Sequence, residues 1–501
     1  MSSKRVAVVI AGIMLSLFMS AIEATVVATA MPTIVSQLGG LAAYSWVFSA
    51  YMLTSTTTVP LYGKLSDLYG RRRLFFIAMA LFLTGSILCG MSQSMEQLIA
   101  FRALQGLGAG GLMPLAFIII GDILPFAQRA RMQGLFSGVW GVASIAGPLL
   151  GGFLVDQFSW RWVFYVNIIP GLLATLLVGV ALRDPLRAPG ATRPAVDYSG
   201  AILLTTSVVA LLLGLFELGT PTGWTLLTVA LILFAVLLWV ERRAADPVLP
   251  LPLFRDRLFA VAIAQGVLSG WAMFGSTNFV PLFGQGVLGL SATAAGTALT
   301  PMMLSWTAAS IVGGRLLLRY GYRSLALVGT AGLAVGAFLM TRLTTGTSLA
   351  FVMLSLAVMG AGMGLAVPAF LIAVQSSVQR AKLGTATATL QFSRSMGGTL
   401  GVSVMGVILT AQLAANLAAA GMSAASVSLG ELIEPAKQGS AATALDAIVR
   451  SALAGALDSV FVASFIAAAF ALAVTFLTPR GRIAEQAVVK AAPQPKTTPE
   501  S

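Results

Sequence analysis

The stretch Gly63-Lys-Leu-Ser-Asp-Leu-Tyr-Gly-Arg71 decides the fold, because a related stretch, Gly314-Arg-Leu-Leu-Leu-Arg-Tyr-Gly-Tyr322, begins 251 residues later. Two further pairs share nearly that offset. A glycine-rich segment ends at Pro114 and again at Pro368, 254 residues apart, and Gly147-Pro-Leu-Leu-Gly151 is matched 250 residues later by Gly397-Gly-Thr-Leu-Gly401. One match alone is weak in a glycine-rich protein. Their common order and offset predict a chain built of two repeated halves.

The composition places these halves in a membrane. Of the 501 residues, 57% are hydrophobic and 9% are charged, whereas a soluble domain carries about 25% charged residues. The apolar segments are continuous over about 20 residues, the length that crosses a bilayer as a helix, and they lack the alternation of barrel strands. The sequence therefore predicts an all-α integral membrane protein.

The apolar runs predict fourteen membrane spans. They begin near residues 6, 44, 73, 95, 132, 161, 198, 223, 258, 292, 323, 347, 383 and 457. The repeated segments fall after the second span, in the fourth and in the fifth span of each half, so each half has six helices. Two helices, at 198–241, are then inserted between the halves. Two parallel six-helix repeats are typical of secondary transporters, with the substrate bound between them near mid-membrane.

The expected domain boundaries follow from this count. An N-terminal six-helix bundle occupies residues 1–185, and the two inserted helices with their linkers occupy 186–250. The C-terminal bundle occupies 251–482 and contains an external loop at 413–456, part of which, 442–458, is expected to form a helix on the membrane surface. Residues 483–501 are expected to be a disordered cytoplasmic tail.

The net charge of +13 reflects topology and not nucleic-acid binding. Most cations cluster in loops that share one side of the membrane once the N-terminus is placed in the cytoplasm, as the positive-inside rule demands. Only Arg161, Arg342, Lys437 and Arg450 fall on the other side. Both termini are therefore expected in the cytoplasm, and the membrane is expected to be a bacterial plasma membrane. The first run follows Lys4 and Arg5 but is too long for a signal peptide.

Glu23 is the candidate coupling residue. It lies in the apolar run 6–30, where a charge near mid-membrane costs about 2.5–3.5 kcal/mol, so an acid kept there is by default a proton or cation site. Arg102 in the fourth span lies at a comparable depth. We expect the two side chains to interact in at least one state, and withdrawal of Arg102 would let Glu23 take up a proton. The alternative for Arg102 is a structural role on helix carbonyls.

The 63–73 loop predicts a conformational latch. Gly63 and Gly70 permit a tight turn, Asp67 can sit at a helix N-terminus, and Arg71 can pair with it. Asp122, near Arg129, is expected to form a second loop latch. The alternative is purely topological, with Arg71 and its two arginine neighbours only holding the loop inside.

Aromatic and polar side chains in the cavity-forming spans are the candidate substrate contacts, although packing or lipid-facing roles are the alternative for any single aromatic. They are Trp46, Tyr51, Gln105, Trp140, Gln265, Trp271, Phe274, Asn278, Gln285, Gln375, Gln391 and Arg394. Such a lining suits flat lipophilic ligands, and cation–π contact would favour cations. For Arg394, lining the cavity and satisfying helix carbonyls stay open as alternatives.

The sequence contains no residue pattern that indicates enzymatic, metal or cofactor chemistry. The chain has no histidine, which removes the commonest metal ligand. The closely spaced glycines between Gly106 and Gly111 lie in a membrane span, so they serve packing and not phosphate binding. Cys89 is the single cysteine, so no internal disulfide can form. No cofactor and no metal are expected, and the chain is expected to be a monomer.

Several of these segments resemble motifs of the major facilitator superfamily. The 63–73 loop resembles the signature loop between its second and third helices, and Arg102-Ala-Leu-Gln-Gly-Leu-Gly108 resembles its fourth-helix motif. Gly147-Pro148-Leu-Leu-Gly151-Gly152 resembles the fifth-helix motif associated with antiporters. The segments 22–32 and 160–167 look like the fourteen-helix drug–proton antiporter branch.

The resemblance covers essentially the whole chain and implies a proton-coupled exporter of lipophilic, preferentially cationic compounds that works by alternating access. In the fifth span, Pro148 and the glycines would form a stiff, closely packed helix that limits leakage; ordinary small-residue packing is the alternative. Many members of the branch carry Asp where this chain has Glu23, and Leu318 stands where the first half has Asp67. The main alternative function is export of a lipid, siderophore or endogenous metabolite on the same fold. An uptake symporter and a non-transporting membrane protein are the weaker alternatives.

Overall fold

A computed structural model describes residues 3–38, 44–182, 198–244, 251–290, 292–379, 382–421 and 442–480. The helices of the first half are α1 (Ser3–Leu38), α2 (Tyr44–Tyr69), α3 (Arg71–Met91), α4 (Met95–Ile123), α5 (Phe126–Gln157), α6 (Trp162–Tyr165) and α7 (Ile168–Ala181). Next come α8 (Tyr198–Phe216) and α9 (Pro221–Glu241). The second half contains α10 (Arg257–Leu282), α11 (Ala292–Thr297), α12 (Thr300–Tyr320), α13 (Tyr322–Met340), α14 (Leu349–Ser377), α15 (Leu383–Ala419) and α16 (Ala442–Phe476).

The helices match the expected apolar runs, with differences at the C-terminal end. In the part of the chain that is described, ten helices are long and apolar enough to cross a membrane, and shorter apolar stretches lie at Gly134–Ala143 and Ile202–Leu215. The count of fourteen spans stays a prediction. The last helix begins at Ala442 and not near 457, so the expected surface helix is continuous with the last span. Of the expected loop at 413–456, residues 422–441 lie outside the described residues, as do the tail 483–501 and the linkers 183–197 and 245–250.

The sequence repeat is also a structural repeat. Helices α4 and α14 are both 29 residues long, contain Pro114 and Pro368 respectively, and are capped at their N-termini by the hydroxyls of serines that precede them. The turns before α3 and α13 each place a glycine at positive φ: Gly70 has φ 96° and Gly321 has φ 77°. Only glycine adopts this conformation without strain, which explains the glycine at both positions.

Glycines allow α4 to pack closely between α2 and α3. A Cβ atom at Gly108 would collide with the backbone of Ala78 and Phe82 in α3, and a Cβ at Gly110 would collide with Thr58 and the Ser55 carbonyl in α2. The absence of a side chain lets three backbones approach closely, which is how helices associate in a medium that offers no hydrophobic driving force between them.

We expect Gly108→Leu to destabilise the folded protein by about 1–3 kcal/mol or more, the usual cost of overpacking, because the obstacle is backbone and cannot rotate away. The matched control is Gly406→Leu in α15, where a Cβ atom would meet nothing within 4 Å. The melting temperature of the detergent-purified variants measures the effect. Equal melting temperatures for the two variants would contradict this account of α4 packing.

The two halves share one apolar core at one end of the bundle and have separate cores at the other. We call the shared end the basic end; it is where α2, α4, α12 and α14 finish, and it carries Arg71, Arg129, Arg319 and Arg323. There a single cluster of buried side chains joins α1, α3 and α4 of the first half to α10, α14 and α15 of the second. At the opposite end, the far end, each half has its own cluster. The halves are thus closed on each other at the basic end.

The inserted helices pack beside the seam between the halves. Helices α8 and α9 pack together, and α8 also contacts both α2 and α15. Leu204, Val208 and Leu212 of α8 form a small apolar cluster with Met396 of α15, against which Leu53 of α2 also packs. The hairpin therefore covers the α2–α15 seam, while the α5–α12 seam has no such cover among the described helices.

Candidate functional site

Glu23 and Arg102 form a buried ion pair inside the first half. The Glu23 side chain is fully buried in α1, and Nη1 of Arg102 on α4 lies 2.5 Å from its Oε1 atom. The Arg102 side chain is 3% exposed. The structure thus brings together the two charged side chains that the sequence places at comparable depths.

Asn167 and Ser86 complete the surroundings of the carboxylate. Asn167, at the junction of α6 and α7, donates from Nδ2 to Oε2 of Glu23 at 2.5 Å and to the Ser86 hydroxyl at 3.0 Å. The Gln105 amide also donates to Ser86, at 3.2 Å, and accepts from Arg102 at 2.8 Å. Both carboxylate oxygens therefore have a donor, as the low-dielectric interior requires for an ionised group.

Neither Asn167 nor Ser86 is among the site residues expected from the sequence. Asn167 is the last residue of the segment 160–167 that resembles the antiporter branch, and this resemblance is the only sequence feature that points to it. Ser86 lies within α3 and belongs to no sequence motif that would identify it. Both belong to the site because the fold packs α6 and α7 against both α1 and α3.

Arg102 also has the structural role that was the alternative for it. Its Nε atom donates to the carbonyl of Val47 in α2 at 3.2 Å, and its guanidinium carbon lies 4.1 Å from the centre of the Tyr51 ring. Tyr51, an expected cavity residue, is thus a cation–π partner of Arg102. The arginine links α1, α2 and α4, so a change in the charge of Glu23 would be felt by all three helices.

The expected pairing of Arg71 with Asp67 is present and includes a second carboxylate, while the gating role of this cluster, which we call the latch, stays a prediction. Arg71 pairs with Asp67 at 2.6 Å through Nη2 and with Asp122 at 3.0 Å through Nε. One arginine therefore joins the end of α2 to the end of α4. Asp122, expected in a second latch, shares the Arg71 guanidinium with Asp67, and Arg129 donates to the carbonyl of Leu124 at 2.9 Å.

Asp67 also bonds the other half of the molecule. Its carboxylate accepts hydrogen bonds from the backbone N–H of Gly384 at 3.1 Å, and from the N–H and hydroxyl of Thr385 at 2.8 and 2.9 Å. These residues form the first turn of α15, where free N–H groups and the helix dipole favour an anion. Gly63, one helical turn away, lets α2 approach so closely that a Cβ there would collide with Ala388.

The antiporter-like segment lies within one unbroken helix. α5 runs from Phe126 to Gln157 and includes Gly147, Pro148, Gly151 and Gly152 without interruption. Gly147 and Gly151 are buried. α5 packs against α1, which carries Glu23, and against α12 of the second half. The helix therefore packs against both the helix that carries Glu23 and the second half of the molecule.

The expected cavity residues of the second half separate into two groups. Gln265 and Gln375 are buried in protein: Gln265 bonds Thr330 at 3.4 Å, and Gln375 bonds Thr387 at 3.3 Å and the Phe117 carbonyl of the first half at 3.4 Å. Trp271, Phe274 and the backbone of Arg394 lie in the contact between α10 and α15, and the Arg394 side chain donates to Gln391 within α15.

The other members of the expected set lie apart from these groups. Asn278 is exposed and donates to the Phe274 carbonyl at 2.7 Å, and Gln285 lies in the π-helical turn Phe283–Val287. Trp140 packs on the far-end core of the first half, and Trp46 is 38% exposed. The cavity residues expected from the sequence therefore include both side chains that pack within the protein and side chains that lie near the middle of the molecule.

The fold and site define a multi-pass helical membrane protein made of two related halves, one of which encloses an ion pair. A family model described as Major Facilitator Superfamily matches residues 13–402. The chain belongs to this superfamily, whose members are membrane transporters and not enzymes. The superfamily is thereby confirmed, whereas the fourteen-helix drug–proton branch stays a prediction.

Among curated proteins, the chain is 40% identical over 417 residues to "Multidrug transporter protein MdtP" of Bacillus subtilis (strain 168), covering 82% of this chain and 76% of that protein. It is 38% identical over 409 residues to "Multidrug resistance protein 3" of the same organism, covering 80% and 79%. Among solved structures, the proton:xylose symporter XylE has a TM-score of 0.62 at 13% identity, covering 98% of this chain and 100% of that one. This last likeness concerns the fold alone.

Proposed function

We propose that the protein is a proton-coupled exporter of lipophilic compounds, cations among them, that works by alternating access in a bacterial plasma membrane with both termini in the cytoplasm. The observation that carries this proposal is the fully buried Glu23 carboxylate, held by Arg102 and Asn167 inside a membrane-spanning bundle. The two relatives with multidrug transport or resistance in their names, at 40% and 38% identity, support the cargo class.

Glu23 carries the proton in this proposal. Its two oxygens are occupied by single donors and the side chain has no exposed surface, so a bulky cation has no access while a proton needs no space. Protonation removes the charge that holds the Arg102 guanidinium, and Arg102 then rearranges together with α2 and α4, which it links. Proton uptake is thereby coupled to a movement of α2 and α4.

The latch and the shared core support an outward-open state of the molecule. With the basic end in the cytoplasm, the Asp67–α15 contacts close the inner side, and the separate far-end cores leave the halves apart on the outside. This is the state in which protons from outside reach the site and cargo leaves. Opening the latch would return the cavity to the cytoplasmic side.

Transport in proteoliposomes tests the proposal. We expect the reconstituted protein to move ethidium up its concentration gradient when protons are allowed to flow the other way, and to stop when an ionophore collapses the pH gradient. Transport that ignores the pH gradient would contradict proton coupling. If neither ethidium nor other lipophilic cations move, export of a lipid or metabolite becomes the better explanation.

A further inference from the structure

Arg394 is a cation in the middle of α15 that lacks an acidic partner. Its side chain is partly buried, and Nη2 donates to Oε1 of Gln391 at 2.5 Å. Within the described residues, no other hydrogen bond or ion pair of this side chain is found, and none of its bonds is to a helix carbonyl. A guanidinium has five N–H donors, so most of its capacity is unused.

The face of α15 that carries Arg394 is directed toward the junction of the two halves. Residues 387, 391, 394 and 398 share this face, because they are separated by three or four positions. Thr387 accepts from Gln375, whose amide also reaches the carbonyl of Phe117 in the first half. At the other end of this face, a Cβ atom at Gly398 would lie 2.6 Å from the Phe274 ring. Arg394 therefore lies between the inter-half contact and an aromatic ring that is 37% exposed.

The charge of Arg394 distinguishes it from the other interior arginine. Arg102 is paired with Glu23, and the latch arginine Arg71 has two carboxylates. An unpaired cation is expensive in a membrane interior, and cations kept there mark ligand or ion pathways. Because Glu23 already has its partner, no acid of the described central helices is left to neutralise Arg394.

We propose that Arg394 binds the carboxylate of a lipophilic substrate, with Gln391 fixing the guanidinium and Phe274 providing an apolar wall for the rest of the molecule. Arginine presents a planar pair of donors that matches a carboxylate bidentately, and it stays charged in an apolar site. The substrates then include lipophilic acids and zwitterions and not only cations. This inference rests on the proposed transport of lipophilic compounds and specifies their chemistry.

A pair of probes that differ only at the carboxylate tests this proposal. Rhodamine B carries a free carboxylate, and its ethyl ester has the same cationic ring system without that charge. Fluorescence anisotropy with the detergent-purified protein measures both affinities and needs no proton gradient. We expect Arg394→Gln to weaken rhodamine B binding by about tenfold or more and to change ester binding by less than about twofold. Arg394→Lys keeps the charge without the planar pair of donors. Its affinity for rhodamine B is expected to lie between those of the wild type and Arg394→Gln.

The matched control is Arg342→Gln, since Arg342 lies over the Phe338 ring at the far end. It is expected to leave both affinities unchanged. Equal losses for acid and ester in Arg394→Gln, unchanged binding of the acid, or a wild type that binds the ester but not the acid would each overturn the assignment. Acid-selective binding that depends on Arg394, in a protein that shows no gradient-driven transport, would instead overturn the proposed function and keep this inference.

Discussion

Glu23→Gln is expected to abolish transport driven by the pH gradient, to the level of liposomes without protein. Glutamine has the size and hydrogen-bonding reach of the carboxylic acid but cannot release or take up a proton, so the site is held in one charge state. Ethidium transport in proteoliposomes measures the effect. Normal gradient-driven transport by the variant would contradict the role of Glu23 in coupling.

The loss of charge has a second effect that needs its own control. Arg102 would be left as an unpaired buried cation, and breaking a buried pair from one side costs about 3–5 kcal/mol of stability. The double variant Glu23→Gln with Arg102→Gln removes both charges. We expect it to melt closer to the wild-type temperature and still to show no coupling. Recovery of coupling in the double variant would mean that Glu23 serves stability alone.

Asp67→Asn is expected to open the basic end of the molecule. The carboxylate accepts three hydrogen bonds from the first turn of α15 and pairs with Arg71. Hydrogen bonds to a charged group contribute about 1.5–3 kcal/mol each, so loss of one shifts the equilibrium between the two states by about tenfold or more. The amide also presents N–H groups to a helix N-terminus that favours an anion.

Distances between spin labels across the basic end would measure this shift. Gln128 in α5 and Ser324 in α13 are both exposed there and belong to different halves, and Cys89→Ser removes the single native cysteine. The label distance is expected to lengthen in Asp67→Asn. The matched control is Asp122→Asn, which loses a bond to Arg71 within the first half and is expected to cause a smaller change. An unchanged distribution in Asp67→Asn would show that the latch does not set the equilibrium.

The sequence was sufficient for the features that local patterns determine. Apolar runs of membrane length gave the helices, and the repeated offset gave the two halves, because both depend on composition and spacing. The depths of Glu23 and Arg102 followed from counting residues along two helices, and the structure brings these side chains together. The conformation of Gly70 followed from the need for a tight turn.

Contacts that depend on rotation and tilt of helices were beyond the sequence. Asn167 meets Glu23 across 144 positions, and Asp67 meets Thr385 across 318, and neither pair has a periodicity that would identify it. Gln375 shows the same dependence on packing for a residue that the sequence did single out. An amide inside a span was expected in the cavity, but its donors are used between α4, α14 and α15. Whether an interior polar side chain meets protein or a ligand is settled by packing geometry.

The apolar core shared by the halves at the basic end has a thermodynamic consequence. Opening that end would expose the apolar side chains that the two halves bury against each other there, while closure of the far end would bury apolar surface of the two separate cores. Exposure of apolar surface to water raises the heat capacity. The two conformations are therefore expected to differ in heat capacity by the net change in exposed apolar area, which makes the enthalpy of switching depend on temperature. The equilibrium between the two conformations is then expected to vary with temperature along a curve and not along a straight line.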